Sequence, residues 1–514
     1  FADIPSQPAS SLPRSTAGWP PAPTRAGRAL TFHLPLKGRQ AMQATVDIPF
    51  RPRVVLNGDP VPSVAAYHAR GGGEGLRIAR AIGPWRTAEE VTLSGLRGRG
   101  GGGFRTGRKW LSILDASRDD ERRFVVANGA EGEPGTFKDR AILRHNPYQV
   151  IEGLAIAALT VGASRAFLAV KASFAREVEI LRRALIEMRA VGLAGDVPIR
   201  LVQGPDSYLF VEEKALLEVI EGDEPLPRRD PPYLHGLFAS GPQMGWSAHD
   251  GGDPGGEAAN PTIVNNVETL ATVPHVLTNG AEWYRALGTW DSPGTTVFTV
   301  VGDVIRPGYA ELELGTPLRE VLERVGGGTR PGRIVKAVFS GVANGVITAE
   351  DLDVPATYED LAAIGSGLGS AGFIVYDDTA DMVSVARTFA RFLHVESCGQ
   401  CGACKLHSGA ISDTLERLER NAAHEADIEE VGAGLRMVTD QNRCYLPVEL
   451  QTVVASILRA FPKDFVAHLE GTLTPPRHYR LPKIVDLGQD TVTYDTRIGL
   501  KQPDWTYIDE RRAG

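Results

Sequence analysis

All four cysteines of this 514-residue chain fall into one pattern. Cys398, Cys401 and Cys404 follow at a strict spacing of three in Glu396-Ser-Cys-Gly-Gln-Cys-Gly-Ala-Cys-Lys405, and Cys444 lies downstream in Gln-Asn-Arg-Cys-Tyr-Leu-Pro. Three thiolates on one tight turn with a distant fourth is how a protein holds a [4Fe–4S] cube. A zinc site and a pair of disulfides are the competing readings. Structural zinc sites more often use two separated Cys-x-x-Cys pairs or Cys/His mixtures. Disulfides fit poorly with so few cysteines in so long a chain without a secretory segment.

A second stretch could do chemistry, Ser94-Gly-Leu-Arg-Gly-Arg-Gly-Gly-Gly-Gly-Phe-Arg-Thr-Gly-Arg-Lys-Trp110. Glycines at 98, 100, 101, 102 and 103 leave backbone N–H groups unobstructed beside Arg99, Arg105, Arg108 and Lys109. That combination suits a phosphate. The string contains Gly98-x-Gly100-x-x-Gly103, formally a dinucleotide fingerprint, but it follows a predicted helix rather than a strand, so it fails the Rossmann test. A flexible glycine loop is the plainer alternative.

The elements that must position these residues follow from pattern. Phe124–Asn128 reads as a buried strand running into an acidic loop with Glu131 and Glu133. Helix, strand, helix and strand follow over 152–163, 165–170, 175–191 and 199–202, which predicts a parallel, doubly covered sheet. Tyr208 to Glu213 opens a further helix, 225–256 is a long Pro/Gly-rich excursion, and Thr262 to Thr269 is a short strand entering a helix with Asn265 and Asn266 adjacent. Thr87 with Glu90 predicts a capping box for a helix over 87–95, and Asn57-Gly58 a hairpin turn. Residues 1–30, rich in Pro, Ala, Ser and Thr, read as a disordered or surface-draped arm. From about residue 294 a small α+β unit is expected, with strands over 295–301, 334–340 and 372–376. From Asp381 to Pro462 the pattern is almost wholly helical, and a tail follows.

Composition sets outer limits. The net charge is −8 at pH 7, which argues against non-specific binding to nucleic acid or anionic membrane. The most apolar segment, Leu154 to Val170, is broken by Ser164 and Arg165, so no direct membrane span is expected. Few cysteines, all in a cluster motif, suggest a reducing compartment.

Together these motifs resemble the NADH-binding flavoprotein subunit of respiratory complex I, with its relatives in NAD-linked formate dehydrogenases and hydrogenases. The resemblance runs over roughly residues 65–465 and rests on the glycine string, Lys109-Trp110, Asn128, Glu131-Gly-Glu-Pro-Gly135, Phe137-Lys-Asp-Arg140, Tyr208, Glu212-Glu213, Asn265-Asn-Val-Glu-Thr-Leu270 and the cysteine loop, all in the family's order. It implies an arm over 1–64, an α/β Rossmann-like domain over 65–290 for FMN and NADH, a ubiquitin-like α+β domain over 291–380, an all-α helical bundle over 381–470 carrying the cluster, and a tail over 471–514. By the same resemblance FMN is cradled by Gly98, Gly100, Gly101, Lys109, Asn128, Tyr208, Asn265, Asn266 and Thr269, and Phe104 and Glu212 are further cofactor-binding residues. Glu131, Glu133 and Glu213 serve the chemistry, and Cys398, Cys401, Cys404 and Cys444 ligate the [4Fe–4S] cluster. NADH would give a hydride to the flavin, which would pass electrons singly to the cluster and on to partner subunits, including a thioredoxin-like [2Fe–2S] protein. A cytoplasmic subunit, or one peripheral on a membrane complex, is implied.

The chain departs from the family around the nicotinamide. Ala130 stands where the family has Asp, Val211 where it has Gly, Asp230 where it has Lys, and Ser112 where it has an aromatic residue. Phe104 and Tyr233 keep rings that could stack on adenine. An extra isopropyl in a fitted pocket costs about 1–3 kcal/mol, and each 1.4 kcal/mol is about tenfold in affinity. Arg228 or Arg229 could stand in for the lysine. Two functions therefore stand side by side: an FMN-dependent NADH dehydrogenase subunit, and an FMN/[4Fe–4S] relay module that does not use NAD(H). A scaffold without cofactors is the third and plainest reading.

Overall fold

The structure, a computed structural model, describes residues 53–116, 122–239, 259–473, 479–488 and 491–503. Residues 1–52 of the N-terminal arm and the later part of the 225–256 excursion lie outside the described residues.

Short apolar runs form the first sheet: β1 (Phe124–Asn128), β2 (Arg165–Lys171), β3 (Ile199–Gly204) and β4 (Thr262–Asn266). All pairings are parallel, and the order is β3–β2–β1–β4. Alternate residues go to opposite faces, as a strand requires. Val125, Ala127, Ala166, Leu168, Val170 and Ile263 join a core built with helices Glu74–Ile82, Pro84–Leu93, Thr106–Ala116, Pro147–Val161, Ala175–Ala190 and Val267–Asn279. Phe124, Val126, Phe167, Ala169 and Val264 pack on the other face against Phe210 and helix Glu213–Glu221. The sheet is thus covered on both sides, which is why its strands read as continuous apolar runs. The chain moves outward through β1, β2 and β3, then returns to lay β4 on the free side of β1. That reversal puts a topological switch point between β1 and β4, where parallel sheets open a crevice beyond their carboxyl ends.

The second sheet is mixed, with order β6–β5–β9–β7–β8: β5 (Thr295–Gly302), β6 (Gly308–Glu313), β7 (Val335–Ser340), β8 (Ile347–Thr348) and β9 (Gly372–Asp377). One face, with Phe298, Val300, Val338, Phe373 and Val375, packs on helix Leu318–Gly326. The other, with Val301, Ala337, Phe339, Ile374 and Tyr376, joins the core of the helices that follow. Those helices are Met382–Glu396, Gly402–Glu419, Glu425–Met437, Leu446–Ala460 and Pro462–Leu469. The tail forms a hairpin of β10 (Ile484–Leu487) and β11 (Val492–Tyr494), and buries Tyr479, Leu481, Ile484 and Leu487 in the same core.

Three local expectations fail. The helix expected from Thr87 begins at Pro84 with Gly83 as N-cap, because Pro fixes φ at a first helical position where no N–H is needed. Thr87 instead donates its hydroxyl to Gly83 O at 2.9 Å. Asn57-Gly58 makes no hairpin in the described residues; Val54, Val55 and Leu56 point their N–H groups at the Glu311 carboxylate, at 2.8–3.1 Å. Strand β6, which carries Glu311, was not expected. Glu311 also accepts from Thr295 Oγ1 at 2.5 Å, and so ties residues 54–56 to both β6 and β5. Glu311→Gln keeps one acceptor oxygen and turns an NH2 toward buried donors. It should lower stability by about 1–3 kcal/mol, read as an earlier urea midpoint with faster proteolysis near residues 54–61.

Candidate functional site

At the switch point Asn128 of β1 and Asn266 of β4 sit opposite one another in register. Beyond them opens a cavity of about 520 Å³, within the usual range for a small-molecule site. Its walls come from all three folding regions: the glycine loop and the 131–139 loop from the first, Ser340, Asn344 and Ser370 from the second, Tyr445, Leu446 and Glu449 from the helices.

The glycine loop is closed at its base by Gly98 N donating to Phe104 O at 2.8 Å. Tyr358 pins it from the second region, donating its hydroxyl to Gly98 O at 2.9 Å and stacking under Arg97. Gly103 has φ +60°, and a Cβ there would meet the Tyr358 ring at 2.6 Å. Gly101, at φ +123°, lines the cavity with Gly100 and Gly102, and a Cβ on Gly102 would meet nothing within 4 Å. The loop thus presents bare backbone next to the start of helix Thr106–Ala116, whose N-terminal end favours an anion.

The cations expected around this loop do not line the cavity. Arg99 is buried and turned away, its guanidinium donating to Tyr284 Oη, Pro293 O and Thr295 O, while its backbone N donates to Thr269 Oγ1 at 2.9 Å. Lys109 donates to Val264 O at 3.0 Å and pairs with Glu213 at 3.1 Å, so both stand beside the cavity rather than on its wall. Asn265 is buried and accepts from Trp110 Nε1 at 2.9 Å. Phe104 is 63% exposed. Of the expected cofactor residues, Gly100, Gly101, Asn128, Tyr208, Glu212 and Asn266 line the cavity; Gly98, Phe104, Lys109, Asn265 and Thr269 do not. Both lining amides are engaged. Asn128 Nδ2 donates to Val211 O at 2.7 Å, and Asn266 bonds Lys138, Asp139 and Glu268 N. They shape the floor that a ligand would rest on.

Sequence reasoning missed the charge at the centre of the floor. Lys138, 1% exposed, lies between Asp139 at 2.6 Å and Glu268 at 3.0 Å. Burial alone would push its ammonium down, but the two carboxylates outweigh burial and hold it above the ordinary lysine range. Asp139 is pushed up to about 6 by burial, against the pull of Lys138. The acidic loop divides its labour. Glu131 accepts from Arg140 Nε and Asp139 N, at 2.8 and 2.9 Å. Glu133 accepts from Tyr208 Oη and Val342 N, both at 2.6 Å, and burial raises its carboxyl. Glu212 caps helix Glu213–Glu221 through Lys214 N and Ala215 N, and burial raises it to about 7.

The cysteine loop adjoins the same cavity. Cys401 is the N-cap of helix Gly402–Glu419, and Cys404 lies in its first turn. All four thiols are free and pack against one core. Among the described residues no three His, Cys, Asp or Glu side chains converge as ligands of a single ion would. Tetrahedral zinc would need them all at about 2.0–2.3 Å from one point; a cube holds its four thiolates further apart. The donor set itself, three thiols on one tight loop and a fourth from downstream, is the one a [4Fe–4S] cube takes. Tyr208 N donates to Glu396, at the start of this loop, at 3.0 Å, and Leu446, two residues after Cys444, lines the cavity.

Three family models match in this order: the Nuo51 FMN-binding domain over residues 91–275, the SLBB domain over 297–342, and the NADH-ubiquinone oxidoreductase-F iron-sulfur binding region over 384–468. The second F-type subunit of the NADH-quinone oxidoreductase of Rhizobium meliloti is 36% identical over 443 residues, covering 83% of this chain and 99% of that protein. The chain belongs to the family of F-type NADH-quinone oxidoreductase subunits. NADP-reducing hydrogenase subunit HndC of Solidesulfovibrio fructosivorans is 34% identical over 422 residues, covering 80% of this chain and 82% of that one. A NAD+-reducing [NiFe]-hydrogenase in the air-oxidized state superposes with a TM-score of 0.66 at 32% identity, over 76% of this chain and 65% of that chain.

The positions read from the sequence as departures from the family have definite surroundings. Val211 lines the cavity, and its Cγ2 lies 2.7 Å from where a Cβ on Gly132 would sit. Ala130 is buried in the core under the sheet. Arg228 is buried and paired with Glu218 and Glu221, so it is not available as the substitute lysine; Arg229 is exposed. Ser112 donates to Lys109 O and Tyr233 is exposed.

Proposed function

We propose that the cavity at the β1/β4 switch point seats FMN, its phosphate on the backbone of Gly100 to Gly102 and its ring system over the Asn128–Asn266 floor. The chain is an electron-transfer flavoprotein subunit that oxidises NADH through FMN and passes electrons to a [4Fe–4S] cluster. FMN supplies the exchange between hydride and single-electron chemistry; the protein supplies placement. Gly100 to Gly102 offer N–H donors with no Cβ in the way. Glu131, tied to Arg140, and Lys138, tied to Asp139, fix the floor. Val211 and Glu133, both on the cavity wall, border the space proposed for a nicotinamide. Cys398, Cys401, Cys404 and Cys444 hold the cluster as thiolates.

One observation carries the reading. Tyr208 has its hydroxyl in the cavity and its backbone N on Glu396 of the cysteine loop, so a single residue spans the hydride end and the electron exit. We read the mixed sheet with helix Leu318–Gly326 as ubiquitin-like, and the five following helices as the bundle that carries the cluster. The partners are other redox subunits, among them a thioredoxin-like [2Fe–2S] protein that would take or supply electrons at the cysteine loop. Among the described residues no helix is long and apolar enough to cross a membrane; a cytoplasmic or membrane-peripheral place follows from the proposed partners.

Anaerobic titration of the FMN-loaded protein with NADH tests this. The flavin should bleach, and Val211→Gly should lower the NADH needed for half-bleaching about tenfold, the effect of roughly 1.4 kcal/mol of relieved crowding. The close approach of Val211 to Gly132 favours one rival, a flavin–cluster relay fed by a redox protein. Flavin that stays oxidised at millimolar NADH in both proteins would decide for that rival.

A further inference from the structure

Two carboxyl groups in the cavity face one phenol. Tyr208 Oη lies 2.6 Å from Glu133 Oε2 and 3.0 Å from Glu449 Oε2. A phenol carries one hydrogen, so it can donate to one carboxylate only. Glu133 also accepts from Val342 N through its other oxygen, and this second donor favours the ionised form on Glu133 rather than on Glu449. The second short contact then requires a hydrogen on Glu449, donated to the Tyr208 oxygen. The surroundings agree. Glu212 adds negative charge from the neighbouring helix cap, Ser340 and Asn344 are neutral, Lys138 is spent on Asp139 and Glu268, and Arg140 on Glu131. Burial first, then the charge of Glu133, push the Glu449 carboxyl up to about 8.

Resting on the reading of this cavity as the flavin site, we propose that Glu133, Tyr208 and Glu449 form a relay that holds one proton and exports the proton released by NADH oxidation. The balance is NADH → NAD+ + H+ + 2 e−, so one proton must leave the cavity for each pair of electrons that departs. At rest Glu449 is the acid, the Tyr208 hydroxyl donates to ionised Glu133, and Glu449 donates to Tyr208. Glu449 loses its proton to water, and Glu133 takes one from the cavity. The new Glu133 proton then passes to the Tyr208 oxygen as the Tyr208 proton passes to Glu449, which restores the resting state without a free phenolate. Glu449 is the outer end: Tyr445, one turn earlier on helix Leu446–Ala460 at its N-cap, also lines the cavity and is 59% exposed.

The test begins with the flavin-free full-length chain, so it does not depend on NADH reacting. Infrared difference spectra across a pH titration should show a protonated-carboxyl band at neutral pH that titrates above neutrality and is missing in Glu449→Gln. Glu133→Gln removes the neighbouring charge and should move the titration of that band down by about one pH unit, which keeps the idea testable if Glu449→Gln folds poorly. In the FMN-loaded protein the pH profile of flavin bleaching should lose its limb above neutrality in Glu449→Gln, while FMN stays bound. A band absent at neutral pH, or unchanged in both variants, overturns the relay. Unbleached flavin with the band present overturns the NADH reading and leaves the shared proton standing.

Discussion

Lys138→Met is expected to destabilise the protein by about 3–5 kcal/mol, the usual cost of removing one partner from a buried ion pair. Methionine matches the length of the lysine stem, so packing changes little and the loss reports the charge. Two carboxylates depend on that ammonium. Asp139 keeps a bond from Asn266 Nδ2 at 2.8 Å after the change. Glu268 keeps Thr296 and Val297 N on one oxygen, but its other oxygen has no hydrogen-bond partner among the described residues, and Lys138 lies 3.0 Å from it. Two buried carboxylates then lose the ammonium they share. Asp139, already raised by burial, should take up a proton near neutral pH. Lys138 is also the one cation among the described residues that line the cavity, against Glu131, Glu133, Asp139, Glu212 and Glu449. FMN should therefore bind at least about tenfold more weakly, on the scale of one lost charge-assisted contact. Urea midpoints and fluorescence titration of the apo-protein measure the two effects. Lys138→Met with Glu268→Gln should recover much of the stability, because the pair acts as a unit. A single variant as stable as the parent would remove Lys138 from the floor's electrostatics.

The strands of the first sheet could be read from sequence because burial on both faces makes them continuous apolar runs. The cysteine loop could be read because three of its four cysteines lie within seven residues of one another. What escaped depended on distant partners. Strand β6 escaped because Glu311, an acid on an alternating strand, reads as solvent-facing until residues 54–56 supply its donors. Arg99 sits among glycines and looked like a phosphate cation. Its three acceptors come from residues 284, 293 and 295, which no local pattern connects to it. Lys138 and Asp139 belonged to a recognisable motif, yet an adjacent Lys-Asp pair at a helix start usually means a solvated end. Only β4, returning beside β1, brings Asn266 and Glu268 to bury them. Glu449 carried no signal at all. It lies five residues after Cys444, and nothing in that spacing tells that its helix turns it toward Tyr208. The wall from Ser340, Asn344 and Ser370 was hidden for the same reason: it is set by how the second region meets the 131–139 loop, through bonds such as Val342 N to Glu133 and Phe137 N to Thr299, not by its own pattern.

Cys404→Ser is expected to abolish the cluster while leaving FMN bound and still bleached by NADH. A serine hydroxyl does not ionise near neutrality, so one of the four thiolates is lost rather than weakened. Cys404 is 5% exposed in the first turn of its helix, with Ser397 Oγ 3.3 Å from its sulfur, so among the described residues no other thiol is placed to substitute. The cavity loses nothing directly, since none of the four cysteines lines it. The broad iron–sulfur absorbance and the cluster's electron paramagnetic resonance signal should disappear. Electron delivery to a one-electron acceptor protein should fall to background, and anaerobic flavin bleaching should persist. The helices around the loop should also melt earlier, because the free energy of cluster binding is part of their stability. Retention of the cluster would remove Cys404 from its ligands. Loss of FMN together with the cluster would show that Tyr208 and Glu396, joined through a 3.0 Å bond, couple the two sites too tightly for the entrance to survive without the exit.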